Sequence, residues 1–365
     1  MSRYVVIGAG AVGATVGAEL HRAGHRVVLV ARGPHLDALR ERGLIYRRPD
    51  AAERLEIPAV AGPSELDLEP DDVLVLATKS QDTDAVLAAW AWQPVARPEG
   101  AQPDGAGWTA AQRLPILLLQ NGLENARSAL RRFATVLDAA VLIPSSHLTP
   151  GEVVSPAAPT VGLLYLGPAP RGEHQAAVRV AQDLRGAGFA VQVVADVERW
   201  KAGKLIGNIG YNLDALFAPS PLRDQLSAAL REEARRILAA AGIDAADLKA
   251  ESTLDVAAMA VQPVPGHERA GSSTWQSLAR TGTSESDFLF GEVVLQARLI
   301  GLEAPLSAAV QQGLGELGRN AGRPGLADEA ALHALLALED RRDPAAVPPP
   351  RAQPTHAASN LTERS

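Results

Sequence analysis

The hydrophobic pattern changes period along the chain. Tyr4-Val5-Val6-Ile7 is a continuous apolar run, as a strand buried on both faces carries. Val12, Val16 and Leu20, with small residues between them, then recur on one helical face, and Arg26–Val30 returns as a second strand after Gly24. Further runs at Asp72–Ala77, Pro115–Leu119, Thr135–Ile143, Glu152–Ser155, Thr160–Leu166 and Phe189–Val194 predict strands. Between them, His35–Arg42, the stretch through Ala85 and Leu87 to Trp90, and Glu173–Ala187 predict helices, while 44–69 holds short β-like fragments and turns. This alternation predicts a doubly wound α/β sheet of Rossmann type over residues 1–196.

The second half differs. Asp196 is placed to cap a helix from Val197 to about Phe217, and helical periodicity recurs near Leu222–Ala241, Ser252–Ala260, Ser286–Ile300, Leu306–Arg319 and Asp328–Leu338, without clear strands. Residues 197–338 therefore predict an all-α domain. Gln93–Arg113, rich in Pro and Gly, reads as a mobile insert, and 339–365, with Pro348–Pro350, as a disordered tail.

The first strand runs into Gly8-Ala9-Gly10-Ala11-Val12-Gly13, which has G-x-G-x-x-G spacing. Gly8 suits the tight strand-to-helix turn, Gly10 lets backbone approach a pyrophosphate, and Gly13 lets the helix pack closely on the strand. The helix N-terminus offers free N–H groups and a positive dipole end to phosphates. In strand–turn–helix context the motif predicts a dinucleotide site. Arg32 follows the second strand, where an NAD site has Asp or Glu for the ribose 2′-hydroxyl. A guanidinium there suits a 2′-phosphate and points to NADP(H), unless it is a solvated surface arginine. Lys79 and Asn121 lie at the carboxyl ends of later strands, where ligands bind in open α/β sheets. Taken alone, each also reads as a solvated loop lysine and a turn or helix-capping asparagine.

Composition narrows the field. The 365 residues allow two domains with sizeable cores. A net charge of −7 without a basic stripe argues against nucleic-acid and anionic-membrane partners, and no apolar run is long enough to span a bilayer. Cysteine is absent, which excludes disulfides, thiolate nucleophiles and Cys-ligated zinc. No metal is expected, and the strand so near the first residue leaves no room for a signal peptide, so a cytoplasmic protein is expected.

Lys204, Asn208 and Asn212 recur at i, i+4 and i+8 on the predicted long helix, within an arc of roughly 80°. Such a polar ladder in an apolar run either lines a cleft or forms a satisfied interior network. A second polar cluster spans Ser272-Ser273-Thr274-Trp275-Gln276 and Ser284-Glu285-Ser286-Asp287, in which Glu285 could simply complement a helix dipole.

The ordered set of these features resembles the ketopantoate reductase family over nearly the whole chain apart from insert and tail. The matching stretches are the glycine loop with Arg32, Ala77-Thr78-Lys79, Leu119-Gln120-Asn121-Gly122-Leu123, Lys204-Leu205-x-x-Asn208-x-x-x-Asn212, and Ser272-Ser273-x-x-Gln276 followed by Ser284-Glu285-Ser286-Asp287 and Gly291. The resemblance implies that Gly8–Gly13, Arg32, Lys79, Asn121 and Glu285 hold NADPH. It further implies that Lys204 is the catalytic lysine with Glu285 beside it, and that Asn121, Asn208, Asn212 and Ser273 bind a small 2-keto acid. Glu285 is expected to orient Lys204 and keep it charged. The chain departs from the family where Ser284-Glu285-Ser286-Asp287 replaces Thr-Glu-Ile-Asp, and where no asparagine follows the ladder near Ala218-Pro219-Ser220. The expected activity is NADPH-dependent reduction of 2-dehydropantoate by a monomer or homodimer. A paralogue acting on another 2-keto acid and a non-catalytic NADP(H)-binding sensor are the alternatives.

Overall fold

The computed structural model describes residues 2–97, 108–268, 271–320 and 322–339. The first βαβ unit comprises β1 (Arg3–Ile7), α1 (Ala11–Arg22) and β2 (Arg26–Val30), the strands pairing in parallel with Val5 opposite Val28. Then follow α2 (Gly33–Arg42), β3 (Leu44–Arg47), β4 (Ala52–Leu55), β5 (Ala59–Val60), β6 (Asp72–Leu76), α3 (Thr83–Ala91), α4 (Ala110–Arg113), β7 (Pro115–Leu118), α5 (Glu124–Leu130) and β8 (Thr135–Leu142). The first half ends with β9 (Glu152–Val154), β10 (Ala157–Pro159), β11 (Leu163–Ala169), α6 (Gln175–Gly186) and β12 (Ala190–Val193).

Eight strands form one sheet in the order β12-β11-β8-β7-β6-β1-β2-β5, parallel except where β11 runs antiparallel to β8. The order reverses at β1, with β2 on one side and β6 on the other, so a crevice opens beyond their carboxyl ends. The near-continuous apolar strands are buried on both faces because helices cover the sheet on each side. Two smaller sheets lie outside it. β9 pairs with β3 in a small three-stranded sheet, and β10 pairs with a strand from the second half.

The second half consists of α7 (Val197–Tyr211), α8 (Pro221–Ala240), β13 (Met259–Val261), α9 (Ser273–Thr281), α10 (Ser286–Leu299), α11 (Pro305–Arg319) and α12 (Glu329–Glu339). Their apolar faces enclose a separate core around Leu230, Ile237, Phe290 and Val293. The N-terminal part of α7 packs instead on the sheet, where Trp200 stacks on Tyr165 with ring centroids 4.2 Å apart. Such a pair is worth about 1 kcal/mol beyond the area it buries. α7 thus belongs to both cores, which fixes the ladder residues relative to the sheet.

Three local expectations are revised. The helix expected over Ser252–Ala260 is a 3-10 turn at Val256–Ala258 followed by β13, because pairing with β10 overrides local periodicity. The helix beginning at Val197 ends at Tyr211 rather than near Phe217, and a 3-10 turn, Asn212–Ala215, carries Leu213 and Ala215 into the core. Asp196 precedes α7 without a side-chain cap bond. Gln93–Arg113 is held at both ends, with Val95 N–H donating to the Trp108 carbonyl at 2.8 Å and Ala110 N–H to that of Gln93 at 2.9 Å. Its residues 98–107 lie outside the described residues, as does the expected tail from residue 340.

Candidate active site

A cleft of about 600 Å³ lies at the switch point. It is lined by the glycine loop, by Arg32, Thr78 and Lys79, by Gln120 and Asn121, and by Ser273, Gln276, Arg280 and Glu285 from the helical half. Gly8 has φ +99°, and a Cβ there would stand 2.7 Å from the Thr78 nitrogen. A Cβ on Gly13 would stand 2.1 Å from the Gly8 carbonyl oxygen. Both positions therefore exclude larger residues for packing reasons. Gly10 differs, since nothing lies within 4 Å of a Cβ built there, and no side chain caps α1. The open space above Gly10 and the uncapped helix N-terminus fit a dinucleotide pyrophosphate.

Arg32 stands at the end of β2 with its side chain 86% exposed, and its Nη2 lies 3.1 Å from Asp82 Oδ2. The loop is braced from outside by His35. Gly151 N–H donates to His35 Nδ1 at 2.8 Å, and His35 Nε2 lies 2.7 Å from the Ala9 carbonyl, which can only accept. These partners require the neutral Nε2–H tautomer. Burial, with His147 packed against the ring, pulls His35 down to about 4.

Opposite the loop, Lys79 Nζ donates to Glu285 Oε2 at 3.0 Å. Ser80 donates to Glu285 Oε1 through its backbone N–H at 3.0 Å and its hydroxyl at 2.8 Å. Glu285 is buried, and burial alone would raise its pKa; the Lys79 charge and the Ser80 bonds reverse that and hold it below the usual carboxylate range. Glu285 makes no hydrogen bond to Lys204, so its expected orienting role is revised: it acts on Lys204 only through space.

Lys204 Nζ donates to Asn121 Oδ1 at 2.7 Å, and Asn208 Nδ2 approaches the same oxygen at 3.5 Å. Lys204 is half-buried. Burial first, then the Lys201 charge, bring it down to about 7, while Glu285 and Asp138 pull the other way. The third rung does not join them. Asn212 is buried where α7 gives way to the 3-10 turn, and its Nδ2 has no hydrogen-bond partner among the described residues. None of the three rungs is in the cleft lining itself: Lys204 and Asn208 reach it through the Asn121 amide, and Asn212 lies beyond the helix end. Ser273, in the first turn of α9, is exposed to the cleft, and the preceding Ser272 caps that helix while bonding Asp214.

Several residues here were not singled out by sequence reasoning. Asn125 donates to the Asn121 carbonyl at 2.8 Å and to Ser80 Oγ at 3.1 Å. Lys201 donates to the Gln120 carbonyl at 3.1 Å and to Asp138 Oδ1 at 2.7 Å. Asp138 had a legible signal, since it is the single charge in the otherwise apolar Thr135–Leu142 strand. Among the described residues no His, Cys, Asp or Glu group could hold a metal ion, and no helix is long and apolar enough to cross a membrane.

The chain is similar to known proteins over most of its length. The profile of a family described as ketopantoate reductase PanE/ApbA matches residues 4–170, and that of its C-terminal part matches 198–317. A 2-dehydropantoate 2-reductase of Pyrococcus horikoshii is 26% identical over 315 residues, covering 84% of this chain and 94% of its own. One from Mycobacterium tuberculosis is 27% identical over 314 residues, covering 83% and 93%. The crystal structure of a PanE/ApbA family ketopantoate reductase from Ralstonia eutropha superposes with a TM-score of 0.69 at 25% identity, covering 88% of this chain and 99% of that one. D-mandelate dehydrogenase, solved with NADH and anilino(oxo)acetate, shares the fold with a TM-score of 0.68 at 19% identity, covering 92% and 100%.

Proposed function

The chain belongs to the ketopantoate reductase family, and we propose that it reduces 2-dehydropantoate to (R)-pantoate with NADPH, the reductive step of pantothenate synthesis. Membership makes it an oxidoreductase acting on a CH–OH group with a nicotinamide dinucleotide. The substrate and the phosphorylated cofactor are the proposal. One observation carries it: a half-buried lysine, Lys204, bonded at 2.7 Å to an asparagine that lines the same cleft as the glycine loop.

In this reading the Gly8–Gly13 backbone and the α1 N-terminus hold the pyrophosphate, and Arg32 meets the ribose 2′-phosphate. Lys79, Asn121 and Glu285 line the stretch of cleft between cofactor and substrate. When bound, the reduced nicotinamide supplies a hydride. As negative charge develops on the substrate's carbonyl oxygen, the Lys204 ammonium stabilises it and delivers the proton that completes the alcohol. A proton affinity near neutrality matches that task, because a large share of the donor is charged at neutral pH and gives up its proton readily. Asn121 aims Lys204 by accepting from it. Asn208 and Ser273 supply uncharged polar groups for carboxylate and hydroxyl, while Asn212, buried away from the cleft, makes no direct contact there. Glu285 keeps Lys79 in place and raises the proton affinity of Lys204 through space.

The second reading, a paralogue for another 2-keto acid, draws on the Ser284 and Ser286 departures beside Glu285. A panel of 2-keto acids assayed by NADPH oxidation separates the two. Ketopantoate should give the highest kcat/KM, and faster turnover of another acid would overturn the substrate assignment.

A further inference from the structure

Lys201 precedes Lys204 by one helical turn and is 4% exposed, and Asp138 on β8 is 1% exposed. Neither touches the cleft. Lys201 Nζ nonetheless makes two bonds, to Asp138 Oδ1 at 2.7 Å and to the Gln120 carbonyl at 3.1 Å. Gln120 and Asn121 form the turn beyond β7, and Asn125 holds the Asn121 carbonyl from α5 at 2.8 Å. Two successive carbonyls are therefore fixed from behind, one by Lys201 and one by Asn125, and the Asn121 side chain beyond them is the acceptor for Lys204.

A buried ion pair is a poor way to gain stability, because desolvation offsets most of the attraction, and apolar replacements of similar volume are often as stable. Its retention behind this turn asks for another explanation. We propose that the buried Lys201–Asp138 pair is a positioning device for the proton donor: Lys201 fixes Asn121 through the Gln120 carbonyl and sets the electrostatic field in which Lys204 holds its proton. This inference rests on the reading of Lys204 as the proton donor.

The charges around Lys204 are Lys201 on its own helix, Asp138 on β8, Lys79 beyond β6 and Glu285 at the start of α10. Lys79 and Glu285 neutralise each other directly. Of the other two, Lys201 lowers the Lys204 proton affinity by more than Asp138 raises it, so the cationic end of the pair dominates at Lys204. Behind the pair, Glu198 faces Asp138, while Arg171 pairs with Asp196 and Arg199 with Asp244.

The test exploits the chain's four lysines, Lys79, Lys201, Lys204 and Lys249, whose side-chain NMR signals can be assigned by substitution. Lys204 is titrated by ¹³Cε shifts in the wild type, K201R, K201M and K201M/D138L, and the pH profile of kcat/KM with ketopantoate and NADPH is recorded for each. K201R keeps the charge and should leave the titration in place. K201M should move it upward by about one unit, and the alkaline limb of kcat/KM should move with it. Its kcat should fall about tenfold at the optimum as Asn121 loosens. If K201M does not fold, K201M/D138L, which leaves neither charge unpaired, carries the same expectation. An unchanged Lys204 titration in a folded variant lacking the Lys201 charge would overturn the inference. If Lys204 titrates as expected while the wild-type alkaline limb does not follow it, the donor reading fails and the electrostatic link stands.

Discussion

Lys79 and Glu285 stand 206 positions apart in the chain and 3.0 Å apart in space. The contact joins the turn beyond β6, in the sheet half, to the residue that precedes α10 in the helical half, across the mouth of the cleft. Replacing Glu285 by Gln removes the charge while leaving an oxygen for the Ser80 N–H. We expect a loss of about 2 kcal/mol in urea unfolding at pH 7, below the full cost of breaking a dry ion pair because a third of the Lys79 side chain reaches solvent. Glu285 ionises more readily folded than unfolded. Its contribution is therefore present above the ordinary carboxylate range and is lost as pH falls below about 4.5. The Glu285→Gln protein should lack that part of the acid sensitivity, and equal acid profiles would contradict the pairing.

Cofactor preference turns on Arg32 and the carboxylate 3.1 Å from it, Asp82. Arg32→Asp should weaken NADPH binding by about tenfold or more and leave NADH less affected. Asp82→Asn removes a rival for the guanidinium and a negative charge near the 2′-phosphate. It should tighten NADPH several-fold, with the gain shrinking at high salt. Fluorescence titration of both cofactors at two ionic strengths checks both expectations.

The parts of the site readable from sequence were those set by contacts near in the chain. Gly13 packs against the Gly8 carbonyl as their spacing implies, and Lys204 and Asn208 share one helix face. What escaped depends on contacts formed only in the fold. Lys204 finds its acceptor 83 residues away on Asn121, and Glu285 binds Lys79 instead of Lys204. Asn212 continues the i+4 pattern on paper, but burial of Leu213 and Ala215 ends the helix at Tyr211 and takes it out of register. Helical periodicity over 252–260 likewise yields to pairing of Met259–Val261 with β10.

His35 supplies a pH-dependent brace for the glycine loop. Its folded pKa, about 4, lies below the ordinary value of about 6.5, so folding favours the neutral ring. The stability this provides is full above about pH 6.5 and is lost as pH falls toward 4, amounting to about 3 kcal/mol. His35→Gln should flatten that part of the stability profile relative to wild type. The Michaelis constant of the wild-type enzyme for NADPH should rise only as pH approaches about 4, where the folded ring takes up a proton and Gly151 loses its acceptor. Parallel unfolding curves for both proteins across pH 7 to 4 would count against the brace.

The central claim is that Lys204 delivers the proton in an NADPH-dependent reduction. Its most direct test compares ketopantoate-dependent NADPH oxidation by the wild type and Lys204→Ala, with NADPH affinity measured separately on both. The account predicts that the rate falls by about 10² to 10⁴ while NADPH still binds with near wild-type affinity. A Lys204→Ala enzyme turning over within a few-fold of wild type, or a wild type that binds NADPH without oxidising it in the presence of any 2-keto acid, would contradict it.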